Sequence, residues 1–395
     1  MAIQARVRPV TEEHRATPFE LFFDLVYVFA VTQITGYMAH EHTATGVLQG
    51  LLTLALLWGT WSGYTWLGNH SRADEGILRT GMVVAMVAMF VVALAIPEAW
   101  HDAPGGLDGP LVLVCAYLLV RGVHLAVYTV AAAGDAPLRH QIAISWLPIT
   151  VAAALLVSGA LLGGAAQLAL FGIAVLVDWV GIYLTARRGE WRLHSPAHLT
   201  ERHGLFIILA IGESVVAIGV GAADQPVSVS LLVAAVLGVA TAICLWWLYF
   251  DVVSLAAERR LDQEPGRARV DLAIEAYTYG HFPIVAGIVL AALGVEGVLA
   301  HAGESEPLGL FSALALFGGL ALYLAGHLVF EHRMHRTRSL PRLLTACALL
   351  LVAPAAAVLP PLAGLAGLVV ILIGLIVVET GQHAEIRQRL RGALS

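Results

Sequence analysis

The chain contains no lysine and little charge of either sign. Its 22 basic residues are all arginine, and acids and bases together make up 13% of the 395 residues. Soluble domains carry about a quarter charged residues, so this composition, with 59% hydrophobic residues, indicates lipid as the surrounding solvent. No long basic tail and no nucleic-acid-binding motif is present. The expected partner is therefore the lipid bilayer and not nucleic acid.

Motifs for catalysis and metal binding are also lacking. The three cysteines, Cys115, Cys244 and Cys347, all fall inside apolar runs, which argues against a disulfide framework and against a zinc site of clustered ligands. There is no Walker motif, G-x-S-x-G elbow, H-E-x-x-H motif or C-x-x-C pair. No soluble domain of useful size is present, so ATP-driven transport by this chain alone is not expected. We predict no catalytic residue, no cofactor and no metal.

Long apolar runs recur along the whole chain. Each is about 18 to 25 residues long, enough to cross about 30 Å of hydrocarbon at 1.5 Å per residue. Backbone groups in lipid must bond internally, which favours helices, whereas a β-barrel would show short alternating segments. The sequence thus predicts an all-α, polytopic transmembrane helical bundle of about twelve spans. The spans are predicted at residues 19–37, 46–68, 78–99, 110–130, 141–160, 167–185, 204–221, 229–251, 273–297, 308–330, 341–358 and 362–382.

The positions of the arginines predict the orientation of these spans. Arginines occur in alternate connections, at the adjoining span ends and in both terminal segments, and only Arg121 lies in the interior of a span. Because cytoplasmic loops are enriched in basic residues, this alternation places both termini in the cytoplasm. Residues 1–18 lack the apolar core of a signal peptide, so the first span is expected to be retained. The connections without arginine lie near 38–45, 100–109, 161–166, 222–228, 298–307 and 359–361.

The two halves of the chain show similarities that suggest a parallel repeat of six plus six spans. Trp61 in the second span is echoed by Trp247 in the eighth, and Asp178 near the end of the sixth by Glu379 near the end of the twelfth. Two halves that both begin in the cytoplasm would be related by an axis along the membrane normal; chance similarity between apolar helices is the alternative. The predicted parts, with the halves forming one membrane domain, are an N-terminal tail (1–18), a first half (19–200), a second half (201–384) and a C-terminal tail (385–395).

Acids inside the spans are candidates for function, because an ionisable group there costs roughly 2.5–3.5 kcal/mol. Glu20 and Asp24 lie four residues apart in the first span and therefore share one helix face. We interpret them as a carboxylate pair that holds or passes a proton; the alternative is an interfacial Glu20 and an Asp24 in an internal salt bridge. Glu213, beside Ser214, is the deepest acid and is interpreted as a proton or cation site or as a structural hydrogen bond.

An arginine and a histidine in the fourth span add to the candidate site. Arg121 and His124 share one face of that span, and a buried arginine needs an anionic partner. We expect Asp24 or Glu213 to be this partner. A purely structural ion pair and a substrate-anion site are both left open.

The ninth span contains Glu275, Tyr277 and His281, followed by Pro283. Tyr277 and His281 share a face, and Pro283 is expected to kink the helix. Since histidine side chains change charge near neutral pH, His281 is a candidate proton relay or else a satisfied hydrogen-bonding group. The complete candidate site is Glu20, Asp24, Arg121, His124, Glu213, Ser214, Glu275 and His281.

Other polar and aromatic residues are expected at the membrane interface rather than in a site. The acids interpreted as interfacial are Asp178, Asp251, Glu331 and Glu379. The aromatic residues interpreted as an interfacial belt, in preference to a ligand cage, are Trp58, Trp61, Tyr64 and Trp66.

Three stretches of the chain resemble the low temperature requirement protein A family of bacterial membrane proteins. They are residues 17–30, with the string Glu-Leu-Phe-Phe-Asp, then residues 201–219, and then the tripeptide 281–283. The resemblance covers nearly the whole chain and implies a multi-pass protein of the bacterial inner (plasma) membrane with a link to growth in the cold. It supplies no reaction, no substrate and no catalytic residue. The polar residues inside the matching stretches are Glu20, Asp24, Arg202, Glu213 and His281.

Three functions are compatible with this sequence. The first is a secondary transporter or channel for an unknown small solute or ion, with a proton-linked polar site in which Asp24 and Glu213 carry the proton or ion and Arg121 is the counter-charge. The second is an intramembrane enzyme acting on lipid or an isoprenoid through carboxylates on the cytoplasmic side. The third is a structural or sensory membrane protein without turnover. The oligomeric state is not predicted.

Overall fold

Helices account for nearly all of the described chain. The structure, a computed structural model, describes residues 14–189, 191–223, 225–251, 253–303 and 306–382, and no β-strand occurs within these ranges. A short helix, Val253–Gln263, follows the eighth long helix. The long helical segments are α1 (Pro18–Glu41), α2 (Ala44–His70), α3 (Gly76–Ala95), α4 (Gly109–Ala131), α5 (Ala136–Leu162), α6 (Gly164–Arg188), α7 (Pro196–Ala222), α8 (Val229–Phe250), α9 (Gly266–Ala300), α10 (Leu310–His335), α11 (Leu340–Ala356) and α12 (Pro361–Gln382).

Within the described ranges, eleven helices are long and apolar enough to cross a membrane. The exception is α11, whose 17 residues cover about 25 Å, slightly less than about 30 Å of hydrocarbon. The prediction of an all-α polytopic membrane protein in contact with lipid is therefore confirmed. The count of twelve spans and the cytoplasmic position of both termini stay predictions.

Helix α7 begins earlier than predicted. The seventh span is expected at 204–221, whereas α7 begins at Pro196. Ser195 supplies the reason, because its Oγ accepts a hydrogen bond of 3.1 Å from the backbone nitrogen of His198 and so caps the helix. Pro196 suits the first helical position, where a backbone N–H has no partner in the helix. The additional turns bring His198 and Arg202 into α7.

The described chain divides into two compact units. The first unit comprises the chain up to Tyr37 together with Thr45–Arg202 and Pro265–Ile274, and the second comprises Met38–Ala44, His203–Glu264 and the chain from Glu275 onward. In both units large apolar side chains are exposed, for example Leu147 in the first and Leu351 in the second. Apolar surface of this extent suits contact with lipid. The division into six-span halves and the repeat stay predictions.

In the first unit α3 packs against α4, and α5 packs against α6. Small residues allow the close approach of α5 and α6, since Gly159 faces the ring of Phe171 and Gly181 faces Pro148.

The aromatic side chains of α2 lie in the interior of the first unit. Their exposed fractions are at most 8%. The prediction of an interfacial belt is therefore wrong for these residues, because α2 is an interior helix whose aromatic rings pack against its neighbours. They are Trp58, Trp61, Tyr64 and Trp66.

In the second unit α9 packs closely against α10. A Cβ added at Gly294 would lie 2.5 Å from the Cα of Leu316, so this position leaves no space for a side chain. Each of the two helices contains a π-helical turn, at Ala273–Tyr279 in α9 and at Leu314–Gly318 in α10. Such turns are rare and often lie at functional sites.

Candidate functional site

Glu20 and Asp24 of α1 meet a single arginine of α7 in the first unit. Arg202 Nη1 lies 2.8 Å from Glu20 Oε1, and Arg202 Nη2 lies 2.5 Å from Asp24 Oδ1. The three residues are 0% exposed. Asp24 is thus in an internal salt bridge, and Glu20 is buried rather than interfacial.

The spacing along both helices brings these side chains together. Glu20 and Asp24 lie four residues apart on α1, and His198 and Arg202 lie four residues apart on α7, so each helix presents two polar side chains on one face. His198 Nε2 lies 2.8 Å from Glu20 Oε1. Glu20, Asp24, His198 and Arg202 form one buried group, which we call the Arg202 cluster.

The beginning of α1 fixes the position of Glu20. The backbone nitrogen and Oγ1 of Thr17 donate hydrogen bonds of 2.9 and 3.0 Å to Glu20 Oε2, and the backbone nitrogen of Glu20 donates one of 3.3 Å to Thr17 Oγ1. This reciprocal pattern is a capping box, with Pro18 at the first helical position. One carboxylate therefore both caps α1 and binds Arg202.

Asp24 is held by α2 as well as by α7. Trp61 Nε1 donates a hydrogen bond of 2.7 Å to Asp24 Oδ1, and the guanidinium carbon of Arg202 lies 5.9 Å from the centre of the Trp61 ring. The other carboxylate oxygen, Asp24 Oδ2, is buried and has no hydrogen-bond partner among the described residues. A buried oxygen of this kind is costly, whether the carboxyl group is ionised or protonated.

The charges of the Arg202 cluster do not balance. Two carboxylates face one guanidinium, which leaves one negative charge when His198 is neutral. An uncompensated charge in a water-poor interior is unfavourable by several kcal/mol. One bound proton or one monovalent cation would make the cluster neutral.

A short segment before α1, residues 14–17, lies against the start of α7; we call it the strap. The backbone nitrogen of Ala16 donates to Glu201 Oε2 at 2.9 Å, and Ser195 Oγ donates to the carbonyl oxygen of His14 at 2.8 Å. The ring of His14 stacks on that of His198 with a centroid distance of 4.9 Å. Burial lowers the pKa of His14, and the neighbouring His198 lowers it further.

Arg121 has a different partner from the one expected. Its Nη2 lies 2.5 Å from Asp178 Oδ1 on α6, and both side chains are 7% exposed. The expectation that Asp24 or Glu213 neutralises Arg121 is therefore wrong. His124, on the same face of α4, is buried between the rings of Tyr64 and Tyr128, with centroid distances of 5.1 and 5.5 Å.

Glu213 and Ser214 lie in the part of α7 that belongs to the second unit, and both are buried. Ser214 Oγ has no hydrogen-bond partner within the described part of the chain. The role of these two residues as a proton or cation site stays a prediction.

The other predicted residues of the second unit make well-defined contacts. His281 Nδ1 lies 3.0 Å from the carbonyl oxygen of Ala276, to which it donates, so His281 Nε2 accepts the hydrogen bond of 2.9 Å from the Tyr249 hydroxyl. Tyr277 stacks on His281 at 4.8 Å, as expected for residues that share a face. The geometry of His281 matches the alternative of a satisfied hydrogen-bonding group. Glu275 forms an ion pair with Arg333.

A second arginine with two carboxylates lies in the second unit. Arg342 at the start of α11 binds Glu379 of α12 through Nε and Nη2, at 2.7 and 2.9 Å, and its Nη1 lies 2.8 Å from Glu331 of α10. We call these three residues the Arg342 cluster. They line a cavity of about 630 Å³ together with Trp247 and Asp251.

Two acids expected at the interface are thus buried in ion pairs. Asp178 and Glu379 are 5% and 8% exposed, and each is bound by an arginine. The interfacial interpretation is wrong for both, because an arginine from another helix takes the place of water.

Sequence reasoning missed several members of these groups. His198 is missing from the predicted site because the seventh span is predicted to begin only at 204, although the Ser195-Pro196 pair is a helix-start signal. Trp61 is predicted to lie in the belt, and nothing in its sequence position distinguishes an interior tryptophan from an interfacial one. Arg342 carries no local signal for its partners, which lie on α10 and α12.

The fold and the site define a multi-pass helical membrane protein whose buried carboxylates are bound by arginines. A family model described as bacterial low temperature requirement A protein (LtrA) matches residues 15–377. The chain belongs to this family.

A relative of similar length supports this assignment without adding a function. The chain is 28% identical over 327 residues to an uncharacterized protein of Rhizobium meliloti (strain 1021), and the match covers 80% of the chain and 77% of the relative. No solved structure matches the chain.

Proposed function

We propose that this protein is a secondary transporter or channel for a small solute or ion, in which the Arg202 cluster binds and releases a proton and Asp24 is the proton carrier. The observation that carries this proposal is Asp24 Oδ2, a buried carboxylate oxygen without a hydrogen-bond partner among the described residues, in a cluster with one excess negative charge. Intramembrane acids of this kind commonly mark proton or ion pathways.

Proton binding at Asp24 would change how strongly Arg202 is attracted to each of its two carboxylate partners, Glu20 and Asp24. When Asp24 is ionised, Arg202 is held by both carboxylates, at 2.8 and 2.5 Å. When Asp24 is protonated, its attraction for the guanidinium weakens and Glu20 becomes the main anion. The two states differ in the contact between α1 and α7, and such a difference lets proton binding shift a conformational equilibrium.

Proton movement in proteoliposomes tests this proposal. The protein is reconstituted with a pH-sensitive dye inside the vesicles, a pH step is applied, and a panel of amino acids, sugars and inorganic ions is added in turn. We expect Asp24→Asn to abolish the solute-dependent pH change that the wild-type protein shows. Asp271→Asn, which alters an ion pair with Arg267 outside the candidate site, is the matched control. Unchanged flux in Asp24→Asn would falsify the proposal.

The tryptophan bonded to Asp24 allows a second test that needs no substrate. Trp61 donates to Asp24 Oδ1, so the emission of Trp61 should change when Asp24 gains a proton. The pH-dependent signal is taken as the difference between wild type and Trp61→Phe. We expect this difference to titrate in the wild-type background and to be independent of pH in the Asp24→Asn background. A pH-independent signal in both backgrounds would contradict proton binding at Asp24.

The cavity of the second unit favours keeping the enzymatic alternative as a second candidate. Glu331, Glu379 and Asp251 line this cavity, and carboxylates at that place could serve as acid and base toward a lipid or an isoprenoid. Arg342 binds both Glu331 and Glu379, so these carboxylates are less available as acid or base, which weakens the enzymatic alternative. Mass spectrometry of the lipids from deletion and wild-type cells distinguishes the enzyme from the transporter, because only loss of an enzyme should remove a lipid product.

We also propose that both termini are cytoplasmic and that the two six-span halves are a parallel repeat. The alternating arginines support the orientation. The repeat is supported by Asp178 near the end of α6 and Glu379 near the end of α12, which match between the halves and are each bound by an arginine. Single cysteines in the arginine-free connections, labelled from outside intact cells after removal of the three native cysteines, test the orientation. Outside labelling of cysteines placed in the arginine-rich connections would show that the orientation is the reverse of the one proposed.

A further inference from the structure

We propose that His14, Glu20 and His198 bind one divalent transition-metal ion, with Zn²⁺ as the best match to the ligands. Each of the three residues offers one ligand atom, and these atoms all lie within 4.8 Å of one another. Two imidazoles and one carboxylate are the ligands of many zinc sites that keep a fourth position open. The rings of His14 and His198 are stacked in the metal-free protein, so with metal–ligand bonds of about 2.0–2.2 Å the His14 ring has to turn out of the stack to direct its nitrogen at the ion.

The state of the ligand atoms supports this assignment. His14 Nε2 is buried and has no hydrogen-bond partner among the residues that the structure describes. His198 is fully buried, and its Nδ1 accepts from Asn69 Nδ2 at 3.4 Å, which places the ring proton on Nε2. Metal binding at Nε2 therefore requires this proton to move to Nδ1 and the contact with Asn69 to break. His14 Nε2 is thus free of other bonds, whereas His198 must exchange its tautomer on binding.

The local charge also favours a cation. Glu20 and Asp24 exceed Arg202 by one negative charge, and the carboxylate of Glu201 binds the strap next to His14. These three carboxylates outnumber Arg202, while Arg72 and Asp74 add one charge of each sign near His14. Arg202 opposes the metal, because it contacts the same oxygen of Glu20. When the metal is bound to Glu20, Arg202 must therefore form its ion pair mainly with Asp24.

Metal binding would join three separate segments of the first unit. His14 belongs to the strap, Glu20 to α1 and His198 to α7, so the ion would fasten the strap over the Arg202 cluster. Binding itself does not depend on proton transport. The metal and the proposed proton nevertheless share Glu20, and occupancy of the metal site would then alter the proton affinity of the cluster.

The test uses full-length protein without a histidine tag, stripped of metal with a chelator and kept in detergent. Co²⁺ is the spectroscopic probe, because its visible absorption reports tetrahedral coordination, and Zn²⁺ binding is measured by calorimetry. We expect one equivalent of either ion per chain. His14→Ala should weaken binding at least tenfold, and so should His198→Ala. His194→Ala is the matched control, since His194 lies nearby but outside the ligand group.

His14→Ala is the decisive variant because only the side chain is lost. The backbone carbonyl of His14 still accepts from Ser195, and the helices are unaffected, which size-exclusion chromatography verifies. Absence of binding to the wild-type protein, or equal affinity in His14→Ala and His194→Ala, overturns the proposal. His14→Ala also separates the two proposals, since it should abolish Co²⁺ binding and, in the absence of metal, keep the flux that depends on Asp24.

Discussion

Arg202 in the first unit and Arg342 in the second unit each bind two carboxylates, and the two clusters differ in their surroundings. The side chains of Arg202, Glu20 and Asp24 are 0% exposed. In the Arg342 cluster the side chains of Arg342, Glu331 and Glu379 are 4, 14 and 10% exposed, and the cluster lines a cavity of about 630 Å³.

This difference shows how one pattern of charges can serve two purposes. A cavity of that size has space for water, which can solvate the excess charge of the Arg342 cluster, so no proton is needed there. Protein atoms surround the Arg202 cluster on all sides, and the same excess charge then favours a proton or another cation. Burial, rather than the number of charged groups, therefore distinguishes the candidate proton site from a structural ion pair.

Removal of the central arginine should give the largest effect and the clearest contrast. Breaking a buried ion pair by deleting one partner costs about 3–5 kcal/mol. We expect Arg202→Met to approach or exceed this range and Arg342→Met to cost clearly less, because water can reach the carboxylates that remain. The measurement is the thermal midpoint in detergent, from size-exclusion chromatography of heated samples.

The control for this experiment is a variant that removes all three charges. Glu20→Gln, Asp24→Asn and Arg202→Met together leave no unpaired charge, and most of the lost stability should return. Equal destabilisation by Arg202→Met and Arg342→Met would show that burial is not the distinguishing property.

Loss of the hydrogen bond from Trp61 should have the next largest effect. Trp61→Phe removes a donor from Asp24 in a fully buried site, for which about 1 to 3 kcal/mol is expected. Trp146→Phe is the control, since Trp146 is 46% exposed and should change the thermal midpoint little. Similar midpoints for both variants would mean that the 2.7 Å contact contributes nothing to stability.

Salt should affect the two clusters unequally. Raising the ionic strength from about 0.1 M to about 1 M shortens the screening length from about 10 Å to about 3 Å, and exposed charges are screened far more than buried ones. The stability difference between wild type and Arg342→Met should shrink by a fraction of 1 kcal/mol, because the Arg342 cluster lines a cavity that water and salt ions can enter. The difference for Arg202→Met should stay constant. A larger salt effect at Arg202 would indicate that water reaches this cluster.

The smallest effect is a pH dependence at His194, between α6 and α7. Burial and the neighbouring Arg192 lower the pKa of His194 below its usual 6.5. Folding therefore favours the neutral His194 ring. The contribution of His194 to the free energy of unfolding is fully present above about pH 6.5, and it is lost as the pH falls toward the lower pKa of the folded state. His194→Asn should show a slightly smaller fall of the thermal midpoint between pH 7.5 and 5.5 than the wild-type protein. An identical fall in both proteins would contradict the prediction.

Much of the fold could be predicted because one physical property determines it. Runs of apolar residues long enough to cross lipid must form helices, and this rule placed nearly all of the helices. It failed at the start of α7, where Ser195 and Pro196 extend the helix into polar sequence. Hydropathy does not detect such an extension, whereas capping chemistry does.

The site could be predicted only in part. The common face of Glu20 and Asp24 follows from their spacing of four residues, which is a local property of a helix. The pairing of Arg121 with Asp178 spans 57 residues and depends on how α4 and α6 pack, which a single sequence does not specify. Trp61 shows the same limit, because a donor to a buried acid and an interfacial tryptophan occur in the same kind of apolar helix.

The π-helical turn Ala273–Tyr279 of α9 has a consequence for insertions and deletions. A π turn holds one residue more than an α turn, so deletion of one residue there should leave a continuous regular helix. Because the extra residue is absorbed within the π turn, the residues after it would stay on nearly the same face of α9, and His281 would stay directed toward Tyr249. The same deletion in the α-helical part that follows would rotate everything after it by about 100°. The π turn is therefore the place in α9 where the loss of one residue is expected to do the least harm.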